Sequence, residues 1–135
     1  MRKRKTIAAL VNDAASILQR VVRLKAANDG YCQCITCGAI HPWDKMDGGH
    51  FISRTYTSHK LLEENIHPQC KNCNGFRGGE GPAYTLFMID TYGREFVDNL
   101  LATKRDTRKY SRSEITGIIE DLKHYETQIR EQTGL

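Results

Sequence analysis

The chain has 135 residues, of which 39% are hydrophobic and 27% charged, and carries a formal net charge of +4 at pH 7. That length fits one domain, residues 1–135, with a modest core, and no apolar run is long enough to span a bilayer. The basic bias is too mild to name a partner, so its placement matters more. Cations cluster at Arg2 to Lys5, at Lys104, Arg105, Arg108, Lys109 and Arg112, and within the middle of the chain at Arg54, Lys60, Lys71 and Arg77.

The N-terminal part, 1–30, is predicted to be a helix over about Thr6 to Asn28. Ile7, Leu10, Val11, Ala14, Ile17, Leu18, Val21 and Leu24 follow the i, i+3, i+4 rhythm, and Asp29-Gly30 supplies a left-handed stop. The basic start runs into an amphipathic stretch with no small-residue cleavage site, so a cytoplasmic protein is expected.

The middle part, 31–81, holds all five cysteines: Cys32, Cys34, Cys37, Cys70 and Cys73. An odd number crowded into two knuckles argues for metal rather than disulfides. Each Cys-x-x-Cys puts two thiolates on one ion from a tight turn, so Cys34, Cys37, Cys70 and Cys73 together form a closed tetrahedral set suited to structural zinc. Cys32 is left over, either competing with Cys34 or filling core. Residues around Trp43 to Phe51 are expected to form a short hairpin with Asp47-Gly48-Gly49 as a turn or bulge. Ser53 to Glu64 reads as an exposed loop, and a short helix is expected from about Cys73.

Within that frame His50 is the candidate general base, since a neutral imidazole can take a proton from water. Gly48 and Gly49 are expected to let a DNA backbone approach. Asn65 is placed to bond the loop and orient His50, and Asn74, directly after Cys73, offers a carboxamide oxygen to a hard cation such as Mg²⁺ or Mn²⁺. Arg54 and Arg77 are candidates to clamp the scissile phosphate.

The last part, 82–135, is predicted helical. Pro82 opens one helix that Gly93 closes, Glu95 to Leu101 forms another, and Ser111-Arg112-Ser113-Glu114 has the form of a capping box. Beyond it Ile115, Ile118, Ile119, Leu122, Tyr125 and Ile129 make an apolar stripe that either completes the core or pairs with a second subunit.

The residues Gly49-His50-Phe51-Ile52-Ser53-Arg54, Glu63-Glu64-Asn65-Ile66-His67-Pro68-Gln69-Cys70 and Cys73-Asn74 resemble the lambdoid phage NinG, or Rap, recombination nuclease family. That family lies within the His-Asn-His (HNH, ββα-metal) endonuclease superfamily. The resemblance covers about Cys34 to Leu101 and implies an α+β fold, a zinc-stapled ββα-metal core flanked by N- and C-terminal helices. It also implies a metal-dependent endonuclease acting on branched DNA such as Holliday junctions and D-loops, in the host bacterial cytoplasm. One departure stands out. Many superfamily members carry a metal-binding Asp or His directly before the catalytic His, and here Gly49 occupies that position. Asp47, His67, or waters and phosphate oxygens are then left to complete the catalytic ion's shell. Two other functions fit the same residues: a general nicking or restriction-like endonuclease, and a zinc-dependent DNA-binding module without catalysis.

Overall fold

The computed structural model describes residues 3–135, so Arg2 of the N-terminal basic cluster lies outside the described residues. The apolar rhythm of the first segment becomes helix α1, Ile7–Ala26, capped by Thr6, whose hydroxyl accepts from the Ala9 N–H at 3.1 Å. Asp29 and Gly30, both at positive φ, then turn the chain into β1, Tyr31–Gln33. β1 pairs antiparallel with β2, Ile40–Pro42, and the first Cys-x-x-Cys lies in the turn between them.

A second antiparallel pair joins β3, Asp47–His50, to β4, Ile66–Gln69, with Asp47 opposite Gln69 and His50 opposite Ile66. This corrects the expected hairpin within residues 43–51. Asp47-Gly48-Gly49 is a strand rather than a turn, and its partner comes from beyond the loop at 51–65. It also corrects the role given to the two glycines. A Cβ on Gly48 would lie 2.9 Å from the Gln19 Cβ of α1, and one on Gly49 would lie 1.9 Å from Gln69 Oε1. Both positions are stripped of side chain so that the protein can close on itself.

After the second knuckle the expected helix is a single wide π-type turn, Asn72–Phe76. Gly78 at φ 61 and Gly79 at φ 88 stop it from propagating. Helices α2, Gly81–Tyr92, and α3, Arg94–Thr103, meet at Gly93. Helix α4, Arg112–Thr133, opens on the anticipated capping box between Ser111 and Glu114.

The terminal helices run side by side in the same direction. Arg112 donates to the Lys5 carbonyl at one end, Arg20 and Glu126 pair at 3.0 Å midway, and Leu24 packs with Ile129 at the other end. The stripe on α4 therefore covers α1. On its other side α1 lays Leu18 and Val22 against Ile66 of β4. Tyr84, Met88, Val97 and Leu100 of the α2–α3 pair enclose Ile52 just past β3. The β3–β4 pair is thus held between α1 and α2. No described helix is long and apolar enough to cross a membrane.

Candidate functional site

Four cysteines converge from two turns. The Sγ atoms of Cys34, Cys37, Cys70 and Cys73 all lie within 4.8 Å of one another, with Cys37 and Cys70 at 3.7 Å. Thiolates at about 2.3 Å around one tetrahedral zinc would sit about 3.8 Å apart, so the spacing fits that ion. The thiols titrate against one another: against burial, Thr36 and nearby backbone bring Cys34 down to about 6, while bonds to the neighbouring sulfurs push Cys37 up and Cys73 up to about 12. All five cysteines are free of disulfides. Cys32 stays outside the cluster: it is buried, with its Sγ 3.2 Å from the Arg23 carbonyl oxygen. The four sulfurs can hold a zinc ion, and that ion would tie the β1–β2 turn to the end of β4.

The edge of β3 that β4 does not cover opens onto a cleft of about 470 Å³, lined by Gln19, Asp47, His50, Arg54, Asn74 and the Gly78-Gly79 pair among others. His50 and Asn74, distant in sequence, face this common space. The imidazole is held by Nε2, which lies 3.1 Å from the Lys60 carbonyl oxygen. A carbonyl only accepts, so Nε2 carries the proton and Nδ1 keeps its lone pair. Burial lowers the His50 pKa below its ordinary value and the Arg54 and Lys60 charges add to this, against the opposing pull of the Lys60 carbonyl. His50 is therefore a neutral ring with one nitrogen available as a base.

Asn65 builds that orientation from behind. It is fully buried, and its Oδ1 accepts from the Ile52 N–H at 2.8 Å. Its Nδ2 donates to the Ile52 carbonyl at 3.0 Å and to the His59 carbonyl at 3.1 Å. One carboxamide thus fastens both ends of the loop, next to the Lys60 carbonyl that grips His50. The far side of the loop is pinned by Ser58, which donates to the Lys104 carbonyl, and by His59, which bonds the Thr103 hydroxyl.

Asn74 and Asp47 form the second half of the cleft. Asn74 Nδ2 donates to Asp47 Oδ2 at 3.0 Å, and Lys71 Nζ lies 2.8 Å from Asp47 Oδ1. Burial would raise the Asp47 pKa, but these two donors and the Lys71 charge hold it below the usual carboxylate range. Asn74 Oδ1 points back toward Gly49, where Gln69 Oε1 is buried without a hydrogen-bond partner. A carboxylate with carboxamide oxygens nearby is a donor set for a hard divalent cation.

His67 turns away from this cleft, which corrects it as a candidate ligand. Its Nδ1 lies 3.1 Å from the Tyr84 hydroxyl and its Nε2 lies 2.8 Å from the Tyr92 hydroxyl, on a separate cavity beside Val22 and Glu64. Tyr84 gives its proton to the Gly49 carbonyl at 2.7 Å, so His67 Nδ1–H must donate to Tyr84 and Tyr92 must donate to Nε2. The ring has no capacity left for a metal, and burial lowers its pKa to about 4. Arg54 is exposed on the wall of the cleft and makes no ion pair among the described residues. Arg77 pairs with Glu80 at 3.3 Å. Part of the C-terminal basic cluster is engaged internally: Lys104 and Arg105 sit over the Tyr56 ring, and Arg108 pairs with Glu114. Sequence reasoning passed over Gln69, the Tyr84 hydroxyl and the Lys60 carbonyl. Only the first leaves a trace, as the Gln directly before Cys70 in a stretch of the chain set between the loop and the second knuckle.

The profile of the family described as Bacteriophage Lambda NinG protein matches residues 1–133. Among curated proteins, the chain is similar to Protein ninG of Escherichia phage lambda and of Escherichia phage 933W, each 32% identical over 68 residues. Protein ninG of Salmonella phage P22 is 31% identical over the same length. Each alignment covers 50% of this chain but only 33% of the relative. No solved structure matches.

Proposed function

Because the chain belongs to the Bacteriophage Lambda NinG protein family, we propose that it is a metal-dependent DNA endonuclease of the His-Asn-His type. The observation that carries this reading is the shared cleft. A neutral His50, with Nε2 fixed on the Lys60 carbonyl and Nδ1 open, faces the same space as the Asp47–Asn74 pair. His50 Nδ1 takes a proton from a water as its oxygen attacks the phosphorus of a DNA backbone; one ester P–O bond breaks, and the departing sugar oxygen takes a proton from solvent water. Asp47 would hold a Mg²⁺ or Mn²⁺ ion, joined by Asn74 once its carboxamide gives up the Nδ2 bond to Asp47 and offers Oδ1 instead; that ion would supply stabilisation of the charge that builds on the phosphate oxygens. Arg54, which lines the same cleft, adds a cation for that phosphate. Asn65 keeps the base aimed, and the thiolate cluster with zinc keeps Asn74 opposite it.

Branched recombination intermediates, Holliday junctions and D-loops among them, are the proposed substrates, as the family resemblance implies. A symmetric resolvase needs two active sites, so a homodimer goes with that substrate. The test is a cleavage panel with four-way junction, flap, nicked and linear duplex DNA, with Mg²⁺ or Mn²⁺ and without. Product only with divalent metal, and strongest on the junction, is expected. His50→Ala should abolish it with zinc content and folding intact. A His50→Ala protein that still cuts at the normal rate would remove the base assignment. The Lys71–Asp47 ion pair favours a second reading, in which the carboxylate is permanently engaged and the protein is a zinc-dependent DNA-binding module. Tight junction binding without product in any metal would select it, and equal cleavage of linear duplex would select a general nicking enzyme.

A further inference from the structure

Phe76 is the most exposed large hydrophobic side chain among the described residues, at 93%. It contributes almost nothing to the core, yet it is not on a loose segment. The turn that carries it is tied at its stem to the second knuckle. Asn74 N–H donates to the Cys70 carbonyl at 3.0 Å, Arg77 N–H to the Asn72 carbonyl at 3.0 Å and Gly79 N–H to the Cys73 carbonyl at 2.8 Å. At Gly75, Gly78 and Gly79 no atom lies within 4 Å of where a Cβ would be, so the tip stands clear of the body. Asn74, Gly78 and Gly79, which flank Phe76 in sequence, are themselves walls of the cleft. The ring therefore projects into solvent from a turn whose stem is tied down and whose flanking residues line the cleft. Arg77 follows it in sequence, and Arg54, which makes no ion pair among the described residues, lines the same cleft.

Resting on the reading of the cleft as a DNA site, we propose that Phe76 is a stacking wedge that receives an unstacked base. In a continuous duplex every base face is covered by its neighbours. At a branch point, flap or gap a face is free, and a projecting phenyl ring beside a phosphate-binding cleft can cover it. The surrounding cations favour a nucleic acid as the occupant of this surface. The wedge makes the protein prefer interrupted DNA through a contact separate from those that cut it.

The test uses the zinc-loaded full chain and its Phe76→Ala and Phe76→Trp variants. Binding is read without Mg²⁺ or Mn²⁺, on a four-way junction with 2-aminopurine at the branch and on a linear duplex of the same sequence. Phe76→Ala should lose about tenfold in junction affinity and under about twofold on duplex, the scale of one base–aromatic stack. Phe76→Trp should retain both affinities, and the 2-aminopurine response should vanish only in Phe76→Ala. An equal loss on both substrates, or no loss, overturns the wedge. So does a Phe76→Ala effect confined to self-association in sedimentation, which would make the ring a contact between copies. Phe76-dependent junction binding with no cleavage in either metal would keep the wedge and sink the nuclease reading. Metal-dependent junction cleavage and binding that are unchanged in Phe76→Ala would do the reverse.

Discussion

Tyr84→Phe is the sharpest probe of how the β3–β4 pair is held, because it removes one oxygen and leaves the ring. That hydroxyl donates to the Gly49 carbonyl at 2.7 Å and accepts from His67 Nδ1 at 3.1 Å, so it bridges both strands behind His50. Tyr84 is 2% exposed and Gly49 is buried, so water cannot readily replace it. The variant strands an acceptor and an N–H donor, each costing about 1–3 kcal/mol when buried and unsatisfied. His67 recovers part of its share by shifting toward solvent. A net destabilisation of about 2–3 kcal/mol follows, or about 10 °C in Tm for a chain of this size. Urea unfolding of the zinc-loaded protein should show a lower midpoint with an unchanged m value. In a cycle with His67→Phe, the two substitutions should couple by about 1 kcal/mol, since each removes the partner of the other. A loss below about 0.5 kcal/mol, or strict additivity, would refute the bridging role.

Three further outcomes follow from the same geometry. Zinc analysis should find one ion per chain, lost in Cys37→Ser and Cys70→Ser but kept in Cys32→Ser, whose thiol bonds the Arg23 carbonyl instead. Gly49→Ala should cost about 3 kcal/mol or more, because its methyl group would overlap Gln69 Oε1 at 1.9 Å, and Gln69→Ala in the same chain should recover part of it. The third concerns pH. His67 titrates at about 4 in the fold and near 6.5 when unfolded, so between those values the unfolded chain binds more protons. Stability should therefore fall as pH drops from about 6.5 to about 4. Glu63 and Glu64 face the same cavity, so the difference between wild type and His67→Gln isolates the imidazole. An identical pH profile in the two proteins would refute it.

The chemistry-bearing residues were legible where spacing alone constrains them. Two Cys-x-x-Cys turns can share one tetrahedral ion in few other ways, and the helices announced themselves through apolar rhythm, the Ser111–Glu114 box and Pro82. What stayed hidden was decided by tertiary contact. Asp-Gly-Gly-His has neither β-branched residues nor alternation, so it reads as a turn. It is a strand because α1 presses on Gly48 and Gln69 fills the space over Gly49. His67 sits in a motif that makes it look like a ligand. Its direction is set by two tyrosines of α2, and no local pattern carries that. Phe76 was missed for the opposite reason: nothing in sequence distinguishes an exposed phenylalanine from a buried one.

The site is best understood as two clasps meeting at one strand pair. The first is Asn65, which closes the 51–65 loop and, through the neighbouring Lys60 carbonyl, sets the ring of His50. The second is the thiolate cluster, which fixes the turn bearing Asn74 and Phe76. β3 supplies Asp47 at one end and His50 at the other, and its partner β4 lies between Asn65 and Cys70, so the strand pair joins the two clasps. Neither clasp could place its residue usefully if β3 were free to slide. The strand is stopped by α1, whose Gln19 backbone abuts Gly48, and α1 is in turn backed by α4. The terminal helices, which carry no recognisable motif, are therefore part of the cleft's geometry.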